Sequence, residues 1–211
     1  MHIGRIQLNS EEENHRSYAL KICVLGDGGV GKTTLVERLA TGYFNPITKM
    51  TIGIDFSLIH LNVFLDDSNE SIPVDLTVWD LGGEDRFRFM LPSYIKGADG
   101  GIILYDVNRY TSAMSLPEWM KIWRENVELG TPIYLVGSKF DLVKPGMYNM
   151  IETNIQQLKK ELGLKVHFLI STKNGLMIDD LMHSISKEMI VFKTRPKERP
   201  SAYSFENTLR A

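Results

Sequence analysis

Gly26-Asp27-Gly28-Gly29-Val30-Gly31-Lys32-Thr33 is the stretch that decides the fold. It fits the pattern Gly, four residues, Gly-Lys-Ser/Thr, in which a glycine-rich turn leaves a strand and opens a helix. Both neighbours are legible. Ala19-Leu20-Lys21-Ile22-Cys23-Val24-Leu25 is a short apolar run with β-branched residues, which predicts a buried strand. From Lys32 onward Leu35, Val36 and Leu39 fall at helical spacing, and Gly42 ends the helix. In that setting backbone N–H groups and the positive helix end converge on phosphate oxygens, and glycines let the backbone come close. Lys32 is expected to reach the β- and γ-phosphates of a nucleotide, and the Thr33 hydroxyl to ligate Mg²⁺. The loop by itself does not choose between ATP and GTP.

Outward from the loop, strands alternate with helices. Residues 43–52 have no period and read as a loop. Alternating runs at 53–65 and 72–80 predict an antiparallel pair, with residues 66–71 as its hairpin turn. Residues 81–99 mix glycine, charge and aromatics and predict a mobile segment with a short helix. The runs 101–106, 132–137 and 166–170 predict three further strands. Leu116, Trp119, Met120, Trp123 and Val127 form one helix face, with Pro117 in its first turn. Ile151, Ile155, Leu158 and Leu162 form a second face, ended by Gly163, and Ile178, Leu181, Met182, Ile185 and Met189 a third. The expected fold is α/β: a doubly wound, mostly parallel six-stranded sheet with one antiparallel hairpin pair and helices on both faces. The expected domain is 18–193, between a flexible extension at 1–17 and a flexible tail at 194–211. Ligands of such sheets bind at the carboxyl ends of the strands.

Composition narrows the function classes. With 211 residues the chain suits one domain. Lys plus Arg is 24 against 26 Asp plus Glu, a net charge of −2 that excludes a generally basic nucleic-acid binder. One cysteine, Cys23, excludes a disulfide framework and any multi-cysteine metal site, and fits a reducing, cytoplasmic setting. The five histidines show no ligand spacing, and Glu11, Glu12 and Glu13 read as a solvated run. His2 excludes N-myristoylation, and the last residues carry no cysteine to prenylate. No lipid anchor is expected, so any membrane contact would come through a partner.

Four further motifs follow the phosphate loop in order: Thr51 within Thr51-Ile52-Gly53-Ile54-Asp55-Phe56, Asp80-Leu81-Gly82-Gly83 after Trp79, Ser138-Lys139-Phe140-Asp141, and Ser171-Thr172-Lys173. With these, the sequence resembles the Ras superfamily of small GTPases, the Rab branch most closely, over about residues 18–192. The resemblance implies a GTP-binding molecular switch that hydrolyses GTP to GDP and phosphate with Mg²⁺. An Asp141 carboxylate accepts from guanine N1–H and the 2-amino group together, a donor pair adenine lacks, and a site built for such a pair rejects the analogue without it. Lys139 is expected to pack along the loop or base, the Thr172 backbone to bond the guanine oxygen between Ser171 and Lys173, and Phe44 to pack on base or ribose. Gly26, Asp27, Gly28, Gly29, Val30, Gly31, Lys32, Thr33 and Thr34 are the expected phosphate cradle. Thr33 and Thr51 are implied Mg²⁺ ligands, with Asp80 orienting the ion. Thr51 and the Gly83 N–H are implied γ-phosphate contacts, holding loops 43–53 and 82–95 until hydrolysis releases them. Effectors, an exchange factor and an activating protein would read those loops. Phe56, Trp79 and Tyr94 match the aromatic triad that many Rabs present to effectors.

The chain departs from the family at five places. Glu84 stands where the family usually has the Gln that orients the attacking water. Ionised Glu donates no hydrogen bond. At about 5 Å from a phosphate oxygen it meets roughly 3 kcal/mol of repulsion per unit charge at an effective dielectric constant near 20. Either Glu84 swings away and intrinsic hydrolysis is slow, or it is partly protonated and acts as a base. The alternative function is therefore a GTP-binding scaffold with negligible hydrolysis. Ser138 replaces the usual Asn and, being shorter, is expected to lose a contact to the base or the phosphate loop. Gly82 replaces the Ala of most Rabs, as in the Arf branch, and is expected to loosen the second loop. The hairpin turn at 66–71 is longer than typical, and the Rab tail cysteines are missing.

Overall fold

The computed structural model of the chain describes residues 17–47, 50–65 and 71–196. The N-terminal extension, most of the hairpin turn at 66–71 and the tail beyond residue 196 lie outside these residues, as do Glu11–Glu13. The described strands are β1 (Tyr18–Leu25), β2 (Ile54–Phe64), β3 (Ser71–Leu81), β4 (Gly100–Asp106), β5 (Ile133–Ser138) and β6 (His167–Leu169). The helices are α1 (Lys32–Thr41), α2 (Leu91–Ile95), α3 (Tyr110–Met114), α4 (Leu116–Asn126), α5 (Tyr148–Leu162) and α6 (Ile178–Thr194). A 3₁₀ turn at Asp85–Met90 leads into α2. Gly42 and Gly163 cap α1 and α5 as their sequences predict.

The sheet order is β2-β3-β1-β4-β5-β6, antiparallel at β2/β3 and parallel elsewhere. The reason lies in the side-chain alternation. Leu20, Ile22 and Val24 of β1 pack with α1 and α6 on one face, while Cys23 and Leu25 pack with α2 and α4 on the other. A strand buried on both sides reads as a continuous apolar run, as 19–25 does. Trp119 and Trp123 of α4 are almost wholly buried against that second face.

Strands β2 to β5 depart from the expected bounds by one residue at one or both ends, and three further elements differ. The short helix α3 is absent from the sequence reading, because Tyr110–Met114 carries no apolar period. The last strand is shorter than 166–170 at both ends. Helix α6 runs one residue beyond the expected boundary, where the Thr194 hydroxyl bonds back to Ile190 O at 2.8 Å.

Candidate functional site

The carbonyl oxygens of the loop between β1 and α1 are tied down from outside. The Lys32 ammonium donates to Gly26 O at 2.7 Å and Asp27 O at 2.9 Å. Arg109 donates to Gly28 O at 2.7 Å, Lys139 to Gly29 O at 2.8 Å, and the Ser138 hydroxyl to Val30 O at 2.6 Å. Gly31 O accepts the first helical N–H, from Leu35. In a trans peptide the N–H points opposite the carbonyl, so each tethered carbonyl aims the following N–H the other way. Gly28 to Thr34 line a cleft of about 600 Å³ on that side. Burial pushes the Lys32 ammonium down to about 8, against the attraction of Asp80 and Asp27, with Arg109 adding to the lowering.

Below the loop three oxygens converge. The Thr33 Oγ lies 2.5 Å from the Thr51 Oγ and donates to Asp80 Oδ2 at 2.5 Å, which also accepts from Thr51 at 3.1 Å. Asp80 is 1% exposed, and its Oδ1 is buried with no hydrogen-bond partner. A buried carboxylate oxygen left unpaired is costly, and a cation would relieve it. Two hydroxyls and one carboxylate form an all-oxygen donor set, which suits a hard cation such as Mg²⁺ that keeps several waters. Among the described residues no three His, Cys, Asp or Glu side chains gather into a metal-holding group.

Two loops meet at this cluster. The Gly82 N–H donates to Gly53 O at 2.8 Å. A Cβ at Gly82 would stand 2.6 Å from Gly53 O and 3.1 Å from Thr51 O, and one at Gly83 2.4 Å from the Gly28 nitrogen. The sequence reading gives Gly82 a loosening role, whereas the geometry gives it a packing role. It lets the backbone at 51–53 come close enough to bond.

At the far end of the cleft Phe44, Ser138, Lys139, Asp141, Thr172 and Lys173 line the wall. Ser171 donates to Asp141 Oδ1 at 2.6 Å, and its residue is fully buried. Lys139 also pairs with Asp106 at 2.8 Å. Toward the phosphate loop Ser138 keeps its contact, contrary to one half of the expectation: the residue is 2% exposed and its hydroxyl reaches Val30 O, with Tyr105 O at 2.9 Å. A short side chain suffices because β5 brings its backbone close to the loop.

Glu84 is held by Arg86, with Nε–Oε2 at 2.6 Å and a second contact at 3.2 Å. Phe56, Trp79 and Tyr94 form a chain of rings with centroids 5.7 and 5.9 Å apart, and Lys21 sits 4.5 Å over Trp79. Two features escaped the sequence reading. The Trp119 indole donates to Asp27 Oδ1 at 2.8 Å, and Arg88 pairs with Asp27 and Glu118. Arg109 was the other; its only signal was its place three residues beyond the end of β4, a strand carboxyl end.

This sheet order, with a phosphate loop leaving the central strand β1, defines a P-loop protein of the GTPase fold. Comparison with known proteins narrows the class. The Ras family pattern matches residues 21–191. The Ras-related protein Rab-13 of Mesocricetus auratus is 30% identical over 174 residues, covering 82% of this chain and 81% of its own. The Ras-related protein Rab-19 of Xenopus laevis is 31% identical over 185 residues, covering 88% and 83%. The GTP-binding protein ypt3 of Schizosaccharomyces pombe is 34% identical over 132 residues, covering 63% and 59%. The chain belongs to the Ras family, and within that superfamily it is Rab-like. Membership carries the family's general function, a GTP-binding switch with GTP-hydrolysing activity. Among the described residues no helix is long and apolar enough to cross a membrane.

Proposed function

We propose that this chain binds GTP in the cleft, hydrolyses it slowly and signals through loops 43–53 and 82–95. The observation that carries the reading is the Thr33–Thr51–Asp80 oxygen cluster, closed by the Gly82–Gly53 hydrogen bond. It joins three elements that are far apart in sequence at the point where a γ-phosphate and its cation belong. Lys32 and the N–H groups of Gly28 to Thr34 bind the phosphates, and Asp141 selects guanine, braced by Ser171. Thr33 and Thr51 would hold Mg²⁺, with Asp80 orienting it. When bound, the ion would neutralise charge on the phosphates. Water attacks the γ-phosphorus, the bond to the β-phosphate oxygen breaks, and GDP, phosphate and a proton leave. Catalysis is mainly electrostatic, from Lys32 and the fixed backbone dipoles. Loss of the γ-phosphate removes the partner of the Thr51 and Gly83 contacts, and both loops relax. Exchange factor, activating protein and effectors meet those loops, with Phe56, Trp79 and Tyr94 as an effector platform.

The Glu84–Arg86 pair favours the slow end of this reading, and a scaffold that scarcely hydrolyses is its limit. The pair engages both carboxylate oxygens, and a carboxylate has no hydrogen to donate to a water's oxygen. Single-turnover hydrolysis of preloaded GTP with Mg²⁺, against an ATP control, tests both. Expected are GTP turnover without ATP turnover and a faster Glu84→Gln variant. An ATP preference overturns the reading, and uncleaved GTP in both forms establishes the scaffold.

A further inference from the structure

Arg38 belongs to none of the motifs that define the site, yet it holds the loop that carries the last of them. It lies in α1, further along the helix than Lys32, and its Nη1 donates to Thr172 O at 2.9 Å, 134 residues away in the chain. The same nitrogen lies 3.4 Å from Lys173 O. A Cβ at Gly175 would stand 2.8 Å from the guanidinium, so a glycine there, at φ +84°, leaves the arginine its path to the loop. The N–H groups of that loop are almost all used within it. Ser171 N–H donates to Leu176 O at 3.2 Å and Gly175 N–H to Ser171 O at 2.9 Å. Asn174 N–H donates to Ser171 Oγ at 3.4 Å and Leu176 N–H to Asn174 Oδ1 at 3.1 Å. Among the described residues the Thr172 and Lys173 N–H groups find no acceptor, although Thr172 is buried and both residues line the cleft. A backbone N–H taken from water calls for a partner. The carbonyl before each one sets its direction, since C=O and N–H of a trans peptide point opposite ways. Ser171 O is turned to Gly175 and Thr172 O to Arg38, so the two free N–H groups point away from both.

We propose that Arg38 is a positioning residue for guanine selection: from behind the loop it fixes the Thr172–Lys173 peptide so that the Lys173 N–H, beside that of Thr172, meets the guanine oxygen O6. This inference rests on the proposed reading of the cleft, in which Asp141 takes guanine N1–H and the 2-amino group. Guanine presents an acceptor at position 6, whereas adenine presents an amino donor. Two fixed N–H donors therefore accept the first base and reject the second, a discrimination added to that of Asp141. Arg38 is not among the residues that line the cleft, and it acts only through the loop it holds. Both carbonyls it approaches share the single nitrogen Nη1, so one positive donor suffices for the tether. Because α1 begins at Lys32 and Thr33, the same helix sets the phosphate end and the base end of the site.

The test measures nucleotide release from the full chain with Mg²⁺ at neutral pH, using GDP and two analogues. In 6-thio-GDP a weakly accepting sulfur replaces O6. Inosine diphosphate keeps O6 and N1–H but lacks the 2-amino group, so it reports on Asp141. The wild type is expected to release 6-thio-GDP roughly fivefold faster than GDP, the loss of one neutral hydrogen bond. In Arg38→Ala, GDP release should rise by about the same factor, and the ratio of 6-thio-GDP to GDP release should fall toward unity. The ratio of inosine diphosphate to GDP release should stay within about twofold of wild type, because the Asp141 contact is not tethered by Arg38. Arg38→Lys keeps one positive donor for Thr172 O and should restore most of the 6-thio-GDP discrimination. Four results overturn the proposal. A 6-thio-GDP ratio unchanged in Arg38→Ala, even with all release rates raised, would make Arg38 a support of the loop alone. Collapse of both ratios together would show a general loosening of the base site. The other two are a wild type that binds GDP without discriminating against 6-thio-GDP, and an Arg38→Lys variant no better than Arg38→Ala. Failure of the wild type to bind GDP would overturn the reading of the cleft, and the proposal with it.

Discussion

At Gly82 a single hydrogen in place of a methyl lets two loops touch. With Ala there, the Cβ meets Gly53 O at 2.6 Å, and the loops must separate or the backbone must shift. Overpacking of this kind costs about 1–3 kcal/mol. Gly82→Ala is expected to lower the unfolding free energy by that amount, seen as a lower denaturant midpoint at constant slope. An unshifted midpoint would show that the 51–53 backbone gives way freely. Ser138 poses the opposite problem. Its hydroxyl serves Val30 O and Tyr105 O, both in a fully buried setting. Ser138→Ala leaves a buried acceptor unmet, at about 1–3 kcal/mol. Ser138→Thr, which keeps the hydroxyl, should recover most of that stability and hold nucleotide longer than the Ala variant. If Thr and Ala release GDP equally fast, the hydroxyl does not support the loop. Both residues were legible as departures from a pattern, but the sign of each departure was not. That sign depends on how closely two backbones approach, and no local spacing records it. Arg109 was harder still, since its bond to Gly28 spans the sheet from one strand end to the next.

At the scale of elements, motif positions were legible because each is punctuated. Glycines end α1 and α5, apolar runs mark strands buried on both faces, and period-2 alternation marks the β2/β3 pair. Helix α3 was not legible, since Tyr110–Met114 buries only Ser112 and so carries no apolar stripe. The link between the 3₁₀ turn at Asp85–Met90 and α4 was also invisible. Arg88 of that turn stacks 4.8 Å over the Trp119 ring, pairs with Glu118 and approaches Asp27 at 3.7 Å, while Trp119 holds Asp27 through its N–H. The second loop is thereby fastened to both the phosphate loop and α4. Because Glu118 is 59% exposed, its pair with Arg88 is screened and is expected to contribute about 0.5–1 kcal/mol. A double-mutant cycle of Arg88→Ala and Glu118→Ala, read by urea unfolding, should return a coupling of that size. The ionic part of the fastening is refuted if the two effects simply add. Trp119→Phe keeps an aromatic ring but loses the indole N–H and some buried volume, and should loosen Asp27, read as a lower urea midpoint than wild type.

For the whole molecule, the short edge strand β6 sets a pH dependence that does not involve the cleft. Strand β6 has only three residues, and its His167 ring nitrogen Nε2 lies 3.1 Å from the Tyr105 hydroxyl on β4. Burial pushes the imidazole down to about 4, with the Lys159 charge acting in the same direction and Glu152 opposing it. An unfolded His titrates near 6.5. Between those two values the unfolded chain binds more protons than the folded one, so stability falls as pH falls through this window. Above about pH 6.5 the ring is neutral in both states and the group is silent. Below about 4 the ring is charged in both and the loss is complete. Because solvent still reaches part of the ring, the expected loss is about 1–2 kcal/mol. Carboxylates elsewhere titrate over the same range, so the informative quantity is the difference between wild type and His167→Asn, a neutral residue that retains an acceptor for Tyr105. That difference should be constant near pH 7 and should shift against the wild type as pH drops toward 4, with unfolding midpoints measured in denaturant at each pH. A flat difference would mean that β6 opens enough for His167 to take up its proton in the folded state. The short sixth strand would then be the first part of the sheet to yield on acidification, ahead of the phosphate loop on β1.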